Sequence, residues 1–145
     1  MVDDTLARFR SHDRLGEGFF WFDTASDECL EDLYQGASCL IAASEGEGFG
    51  LPLIEAARHG VPMMVRDIPV FREVAGDSAY YFGSPESEGL AESVLAWLAL
   101  NDQANAPSPH DMKWNTWSES AAQFIESLKL EDAAPHSPEQ FEKTC

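Results

Sequence analysis

The stretch that most constrains this fold is a glycine-rich segment, residues 44–55, between an apolar run and a run of helical character. The apolar run, residues 39–43, predicts a β-strand. Residues 52–59 predict a helix with Pro52 in its first turn, where the missing N–H would have had no partner. The turn between them carries glycines that permit positive φ, at Gly46, Gly48 and Gly50. The segment therefore predicts a strand, a tight turn and a helix start.

The start of that helix is a candidate binding site for an anion. We expect the N–H groups of Gly50, Leu51 and Leu53 to point out of its positive end, toward a phosphate or a sugar hydroxyl. Glu47 and Glu55 flank the turn, so both carboxylates are expected to face the crevice where open α/β sheets bind ligands. The alternative is that each glutamate only complements the helix dipole at the surface.

The run Glu47-Gly-Phe-Gly-Leu-Pro-Leu-Ile-Glu55 resembles the signature of retaining glycosyltransferases of the GT-B fold, in which two glutamates stand eight positions apart. It is most similar to family 4, or group 1, which transfers sugars such as mannose from nucleotide donors. The resemblance implies that Glu55 accepts hydrogen bonds from the ribose hydroxyls. It makes Glu47 the candidate catalytic residue, as a contact of the donor sugar and not as a nucleophile. The implied donor-binding residues are Glu47, Gly48, Phe49, Gly50, Leu51 and Glu55.

The same resemblance implies the ligands and the partners of the chain. The donor would be GDP-mannose or a UDP-hexose, the acceptor a polysaccharide or lipid-linked glycan, and no metal or other cofactor is expected. The resemblance covers roughly residues 19–128, the later part of the C-terminal domain of a two-domain GT-B enzyme. A separate N-terminal half or a homo-oligomer is therefore an expected partner. The alternative is a non-catalytic, truncated domain that binds nucleotide weakly or serves as a protein-interaction module.

The predicted fold class is α/β: a partial Rossmann-like parallel sheet of about four strands flanked by helices, an incomplete GT-B C-terminal domain. The expected strands are residues 19–22, 39–43, 61–65 and 79–82. Ser26 is the expected N-cap of a helix that ends at Gly36. Thr116 and Glu119 form a capping box for the last helix, which Trp114 and Trp117 are expected to anchor against the sheet. The expected organisation is a helical lead-in, a partial donor-binding domain and a polar mobile tail, at residues 1–17, 18–130 and 131–145.

The charge of the chain limits its partners. Its 26 acidic and 9 basic residues give a formal net charge of −17, which argues against nucleic acid and anionic membranes as ligands. A nucleotide sugar is also an anion, so its binding would depend on backbone dipoles and a few cations. Arg66 and Arg72 are the candidate phosphate contacts, and a surface salt bridge is the alternative role for each.

Cysteine and histidine spacing predicts neither disulfides nor a metal site. Cys29, Cys39 and Cys145 are expected to be thiols of a reducing compartment, two of them buried and one in the tail. The four histidines match no metal-ligand spacing. The first residues are polar, and no apolar run is long enough to span a bilayer, so we expect no transmembrane segment and a cytoplasmic protein.

Overall fold

The structure, a computed structural model, describes residues 2–83 and 87–128 and is an α/β fold. Within these residues three parallel strands form one sheet in the order β1-β2-β3. The strands are β1 (Leu40–Ala42), β2 (Met63–Arg66) and β3 (Tyr80–Phe82). Leu40 pairs with Met63, and Met64 pairs with Tyr80. The predicted α/β class and parallel sheet are confirmed.

Helices connect the strands and flank the sheet. The helices are α1 (Val2–Arg10), α2 (Asp27–Gly36), α3 (Leu51–Arg58), α4 (Pro69–Ala75), α5 (Ser87–Asp102) and α6 (Trp117–Leu128), with a 3-10 turn at Pro109–Asp111. Helix α3 joins β1 to β2, and α4 joins β2 to β3. Each pair of neighbouring strands is thus connected by a helix, as parallel pairing requires.

The predicted helix caps are present. The Ser26 hydroxyl accepts a hydrogen bond from the Cys29 N–H at 3.3 Å, and α2 ends at Gly36 as expected. At α6 the Thr116 N–H donates to Glu119 Oε2 at 2.7 Å, while the Glu119 N–H donates to Thr116 Oγ1 at 3.2 Å. These reciprocal bonds supply acceptors to N–H groups that lack an intrahelical partner, so the capping box is confirmed.

The central strand β2 divides the core into two clusters because its side chains alternate between the two faces of the sheet. Met63 and Val65 pack into a cluster with Leu53 of α3 and Phe71 of α4. Met64 points the other way. It packs with two further buried side chains, Phe82 and Trp97. Helices α3 and α4 therefore cover one face of the sheet, and α5 covers the other.

The aromatic run at residues 19–22 is not the buried strand that its composition predicts. Phe20 and Phe22 are 61% and 52% exposed, and Phe19 forms only an isolated bridge with Leu15. The ring of Phe9 in α1 lies 5.4 Å from the rings of both Phe19 and Trp21. The run turns back onto α1 instead of joining the sheet, so the described sheet has three strands and not about four.

The tryptophans near α6 do not anchor that helix to the sheet. Trp114 and Trp117 are 38% and 84% exposed, and no described residue of α6 is buried. The prediction of a packed C-terminal helix is therefore wrong. Its apolar periodicity indicates a helix with one apolar face, but periodicity does not say what that face contacts.

The remaining predictions concern the thiols, the tail and the membrane. Cys29 and Cys39 are free thiols that are half-buried and not fully buried, and burial raises the pKa of Cys39. The predicted tail at residues 131–145, with Cys145, lies outside the described residues. None of the helices in the described ranges has the length and apolarity that a bilayer span needs.

Candidate functional site

The glycine-rich turn lies at the C-terminal end of β1 and leads directly into α3. Gly50 is the N-cap of α3, with φ 74° and ψ 31°, and it is the glycine of the turn that takes positive φ. A Cβ on Gly50 would lie 3.4 Å from Cγ2 of Val74 in α4. The positive φ therefore favours glycine at this position, whereas a Cβ beside Val74 would only be in van der Waals contact.

At the N-terminal end of α3, only some of the amide N–H groups can donate to a ligand. The Leu53 N–H donates to the Gly50 carbonyl at 3.0 Å, so the expectation that it points outward is wrong. The N–H groups of Gly50 and Leu51 stand at the end of the helix, where the first amides have no acceptor within the helix. They remain the candidates for an anion contact.

The first signature glutamate, Glu47, lies on the surface of the turn. Its Oε1 accepts a hydrogen bond from the N–H of Gly48 at 3.0 Å. Phe49 and Leu51 also expose their side chains. With Glu55 they line one side of a groove of about 460 Å³, and Trp114 and Trp117 line its other side. Glu47 is not among the residues that line this groove, so the structure brings Phe49, Leu51 and Glu55 together but does not place both glutamates in it.

The second signature glutamate, Glu55, lies one turn into α3 and is half-buried. The Tyr34 hydroxyl of α2 donates to Glu55 Oε2 at 3.0 Å and lies 3.4 Å from the Pro52 carbonyl. Burial, together with the hydrogen bond to the Glu55 carboxylate and its charge, raises the pKa of Tyr34. Sequence reasoning did not predict this contact, which joins two distant parts of the chain.

Tyr34 also contacts His59, the residue that follows the last turn of α3. The Tyr34 and His59 rings stack with centroids 5.4 Å apart and an interplanar angle of 6°. His59 Nε2 lies 3.5 Å from Glu31 Oε2. Glu55 and Arg58 also line the small cavity of about 170 Å³ beside this stack. Glu55 thus stands between two depressions, one on each side of α3.

Arg72, a candidate phosphate contact, takes part in a surface salt bridge. Its Nε and Nη2 lie 2.7 Å and 2.8 Å from the two carboxylate oxygens of Asp67. The guanidinium carbon lies 3.6 Å from the centroid of the Tyr81 ring. The hydrogen bonds from Arg72 lower the pKa of Asp67. The salt-bridge alternative is thus realised in this structure, and a phosphate contact of Arg72 stays a prediction.

Arg66 contacts the backbone where the glycine-rich turn begins after β1. Its Nε donates to the Ala43 carbonyl at 3.0 Å, and its guanidinium lies 5.6 Å from the centroid of the Phe82 ring. It therefore lies near the start of the glycine-rich turn, and its contact with a phosphate also stays a prediction. Among the described residues no three His, Cys, Asp or Glu side chains are grouped to hold a metal ion.

Comparison with known proteins places these features in a family context. The family described as glycosyl transferases group 1 matches residues 3–116. The chain is 43% identical over 129 residues to the serotype-specific mannosyltransferase WbdA of Escherichia coli, covering 89% of this chain and 16% of that protein. It is 30% identical over 107 residues to the O-antigen chain mannosyltransferase B of Escherichia coli, covering 72% of this chain and 28% of that protein.

A solved structure supports the fold. Sucrose-phosphate synthase from Thermosynechococcus elongatus superposes with a TM-score of 0.64 at 19% identity, over 88% of this chain and 33% of that one. The chain also spans only 16% of the length of WbdA and 28% of the length of the O-antigen chain mannosyltransferase B. The similarity therefore concerns one region of much longer proteins.

Proposed function

This chain belongs to the group 1 glycosyltransferases, and we propose that it is the donor-binding part of a glycosyltransferase. It binds a nucleotide-sugar donor at residues 47–55 for retaining transfer of the sugar to a glycan. The observation that carries this proposal is the geometry around Gly50. A left-handed residue starts α3 at the end of a parallel strand, and Glu55 lies one turn further on.

Each part of the site has a role in this proposal. The N–H groups of Gly50 and Leu51 bind the donor phosphate, since a helix N-terminus attracts negative charge. As the bond between sugar and phosphate breaks, these amides stabilise the charge that develops on the phosphate. Glu47 contacts the donor sugar, and Glu55 accepts hydrogen bonds from the ribose hydroxyls.

Backbone donors suit a chain of this charge. With a formal net charge of −17, attraction of an anionic donor has to come from local groups. Arg66 and Arg72 lie on β2 and α4, the two elements that follow α3 in the chain, and we include both as proposed phosphate contacts. Reaching a phosphate would require Arg72 to share its guanidinium with Asp67.

The donor we propose is GDP-mannose, with a UDP-hexose as the alternative. The two relatives described above are mannosyltransferases by name, which supports the mannosyl donor. The acceptor is proposed to be a polysaccharide or a lipid-linked glycan, and no metal or other cofactor is included. Transfer also requires a second half that orients the acceptor and excludes water, supplied by another domain, a separate chain or a second copy.

Thermal unfolding with nucleotides tests this proposal. We expect the melting temperature to rise with millimolar GDP-mannose or GDP, or else with UDP-glucose or UDP. A ligand at about a hundred times its dissociation constant stabilises a fold by roughly 2.7 kcal/mol. Glu55→Ala should abolish the rise, while Glu45→Ala, at an exposed glutamate earlier in the same turn, should keep it. No rise with any nucleotide would contradict donor binding by this chain.

The second candidate function is a non-catalytic module that pairs with another protein. The exposed apolar side chains of α6, Phe124, Ile125 and Leu128, favour it, because monomers rarely leave such surfaces uncovered. Where the partner is a second copy of this chain, sedimentation of the chain with and without nucleotide separates the two functions. A binding module associates without nucleotide and shows no thermal shift, whereas a donor-binding domain shows the shift whether or not it associates.

A further inference from the structure

The Glu55 carboxylate is held from a helix other than its own. The Tyr34 hydroxyl has one proton, and the charged oxygen at 3.0 Å is a better acceptor for it than the Pro52 carbonyl at 3.4 Å. A carboxylate has two oxygens, each able to accept hydrogen bonds. A single donor on Oε2 therefore fixes the orientation of the group and leaves Oε1 able to accept from a ligand.

Tyr34 is itself fixed in place by the same face of α3. Its half-buried ring stacks on His59, which lies four residues after Glu55 and so on the same side of the helix. Glu31, one turn before Tyr34 in α2, lies within ion-pair distance of His59. The raised pKa of Tyr34 keeps its hydroxyl protonated, as a donor, at neutral pH. The Tyr34 side chain is thus held by the hydrogen bond of its hydroxyl and by the stack on the face of its ring.

We propose that Tyr34 is a positioning residue that orients the Glu55 carboxylate for the ribose of a bound nucleoside diphosphate. The inference rests on the proposed function, because it assigns the ribose to Glu55. It adds a determinant of specificity that lies outside the glycine-rich turn. Selectivity for a ribose with both hydroxyls would then depend on the packing of α2 against α3.

The test compares nucleotides that differ only in the ribose. Calorimetry gives the Kd of the 145-residue chain for GDP and UDP and for their 2′,3′-dideoxy counterparts. Tyr34→Phe removes the hydroxyl and keeps the ring that stacks on His59. We expect roughly fivefold weaker binding of the ribonucleotide, which corresponds to about 1 kcal/mol. Binding of the dideoxy compound should not change. The Kd of the dideoxynucleotide divided by the Kd of the matching ribonucleotide should therefore fall.

A second tyrosine provides the matched control. The Tyr81 hydroxyl donates to the Gly76 carbonyl at 2.7 Å and lies 3.2 Å from the Phe71 carbonyl, on α4. Tyr81→Phe therefore removes a hydroxyl with a structural role away from Glu55. It should lower the melting temperature and leave the ratio of Kd values unchanged.

The outcomes separate this inference from the proposed function. If the unaltered chain binds neither nucleotide, the proposed function fails and the ribose role of Tyr34 fails with it. If the unaltered chain discriminates between the sugars and Tyr34→Phe discriminates equally well, only the inference is overturned. Should Tyr34→Phe not fold, His59→Leu, which removes the stack but keeps the hydroxyl, decides in its place. A reduced ratio supports the inference, and an unchanged ratio overturns it.

Discussion

Helices α3 and α6 are both amphipathic and both begin at signals readable in the sequence, yet their surroundings differ. Helix α3 packs Leu53, Ala56 and Ala57 into the core between the sheet and α4. Helix α6 has a complete capping box but no buried residue within the part that the structure describes. The candidate donor site is built on the packed helix.

The difference shows that two kinds of interaction determine these helices, local hydrogen bonds at the cap and packing against distant parts of the chain. Local hydrogen bonds at a cap are sufficient to start α6, since they involve residues only three positions apart. Holding α3 in a fixed place requires contacts with strands and helices that are distant in the sequence. A binding site needs the second kind, because its groups must keep their positions relative to one another.

The largest expected effect comes from shortening one apolar side chain in each helix. Leu53 is fully buried, so Leu53→Ala should lower the free energy of unfolding by about 3 kcal/mol. Phe124 in α6 is 64% exposed, so Phe124→Ala should change it by less than about 0.5 kcal/mol. Urea unfolding measures both. A large loss with Phe124→Ala would show that the apolar face of α6 is covered in solution, and the contrast between the helices would disappear.

A smaller effect is expected at the start of α3. Gly50→Ala forces a residue with a Cβ to take positive φ close to Val74, and should cost roughly 1–2 kcal/mol of unfolding free energy. Gly48→Ala is the control, because a Cβ there would meet no atom within 4 Å. It should stay within about 0.5 kcal/mol of the unaltered chain. Equal costs at the two positions would mean that the left-handed turn does not fix the start of α3.

The smallest effect is a local dependence of α6 on pH. Hydrogen bonds from Thr116 lower the pKa of Glu119 below its usual range. A carboxyl whose pKa is lower in the folded state stabilises that state above its unfolded pKa, and the contribution is lost as the pH falls through the folded value. We therefore expect amide hydrogen exchange in the first turn of α6 to accelerate as the pH falls below about 4.3, the pKa of an unperturbed glutamate, beyond the intrinsic pH dependence of exchange.

Two comparisons control for general acid effects on exchange. Glu119→Ala removes the carboxylate that accepts from both the Thr116 N–H and the Thr116 hydroxyl, so α6 should already exchange quickly at neutral pH and show a weaker dependence on pH. Amides of β2, which lie in the centre of the sheet, should keep their protection over the same range. If α6 and β2 lost protection together, α6 would be part of the cooperative core.

Sequence reasoning succeeded where a short segment carries its own signal. The Ser26 cap, the box formed by Thr116 and Glu119, and the alternation of strands and helices after residue 39 depend on neighbouring residues. The turn at Gly50 belongs to this group, since its glycine and Pro52 directly mark a helix start. These features gave the α/β class, and the donor site at the turn stays a prediction.

It failed where the outcome depends on distant contacts. The aromatic run at residues 19–22 has the composition of a buried strand, but it packs its first ring against α1 and exposes Phe20 and Phe22. Trp117 is a large apolar residue of the kind usually found in a core, but it is mostly exposed. The contact of Tyr34 with Glu55 was missed for the same reason, because a hydroxyl on one helix carries no sign of its acceptor on another.

The order of strands in the sheet has a consequence for how the chain folds during its synthesis. Each strand pairs with the one that precedes it in the chain, from β1 to β2 to β3. No described strand has to wait for a later one to be inserted beside it. Once β2 has left the ribosome, the turn that follows β1 and α3 can already adopt the geometry of the site. Relatively short separations between paired strands also favour fast folding for a parallel sheet.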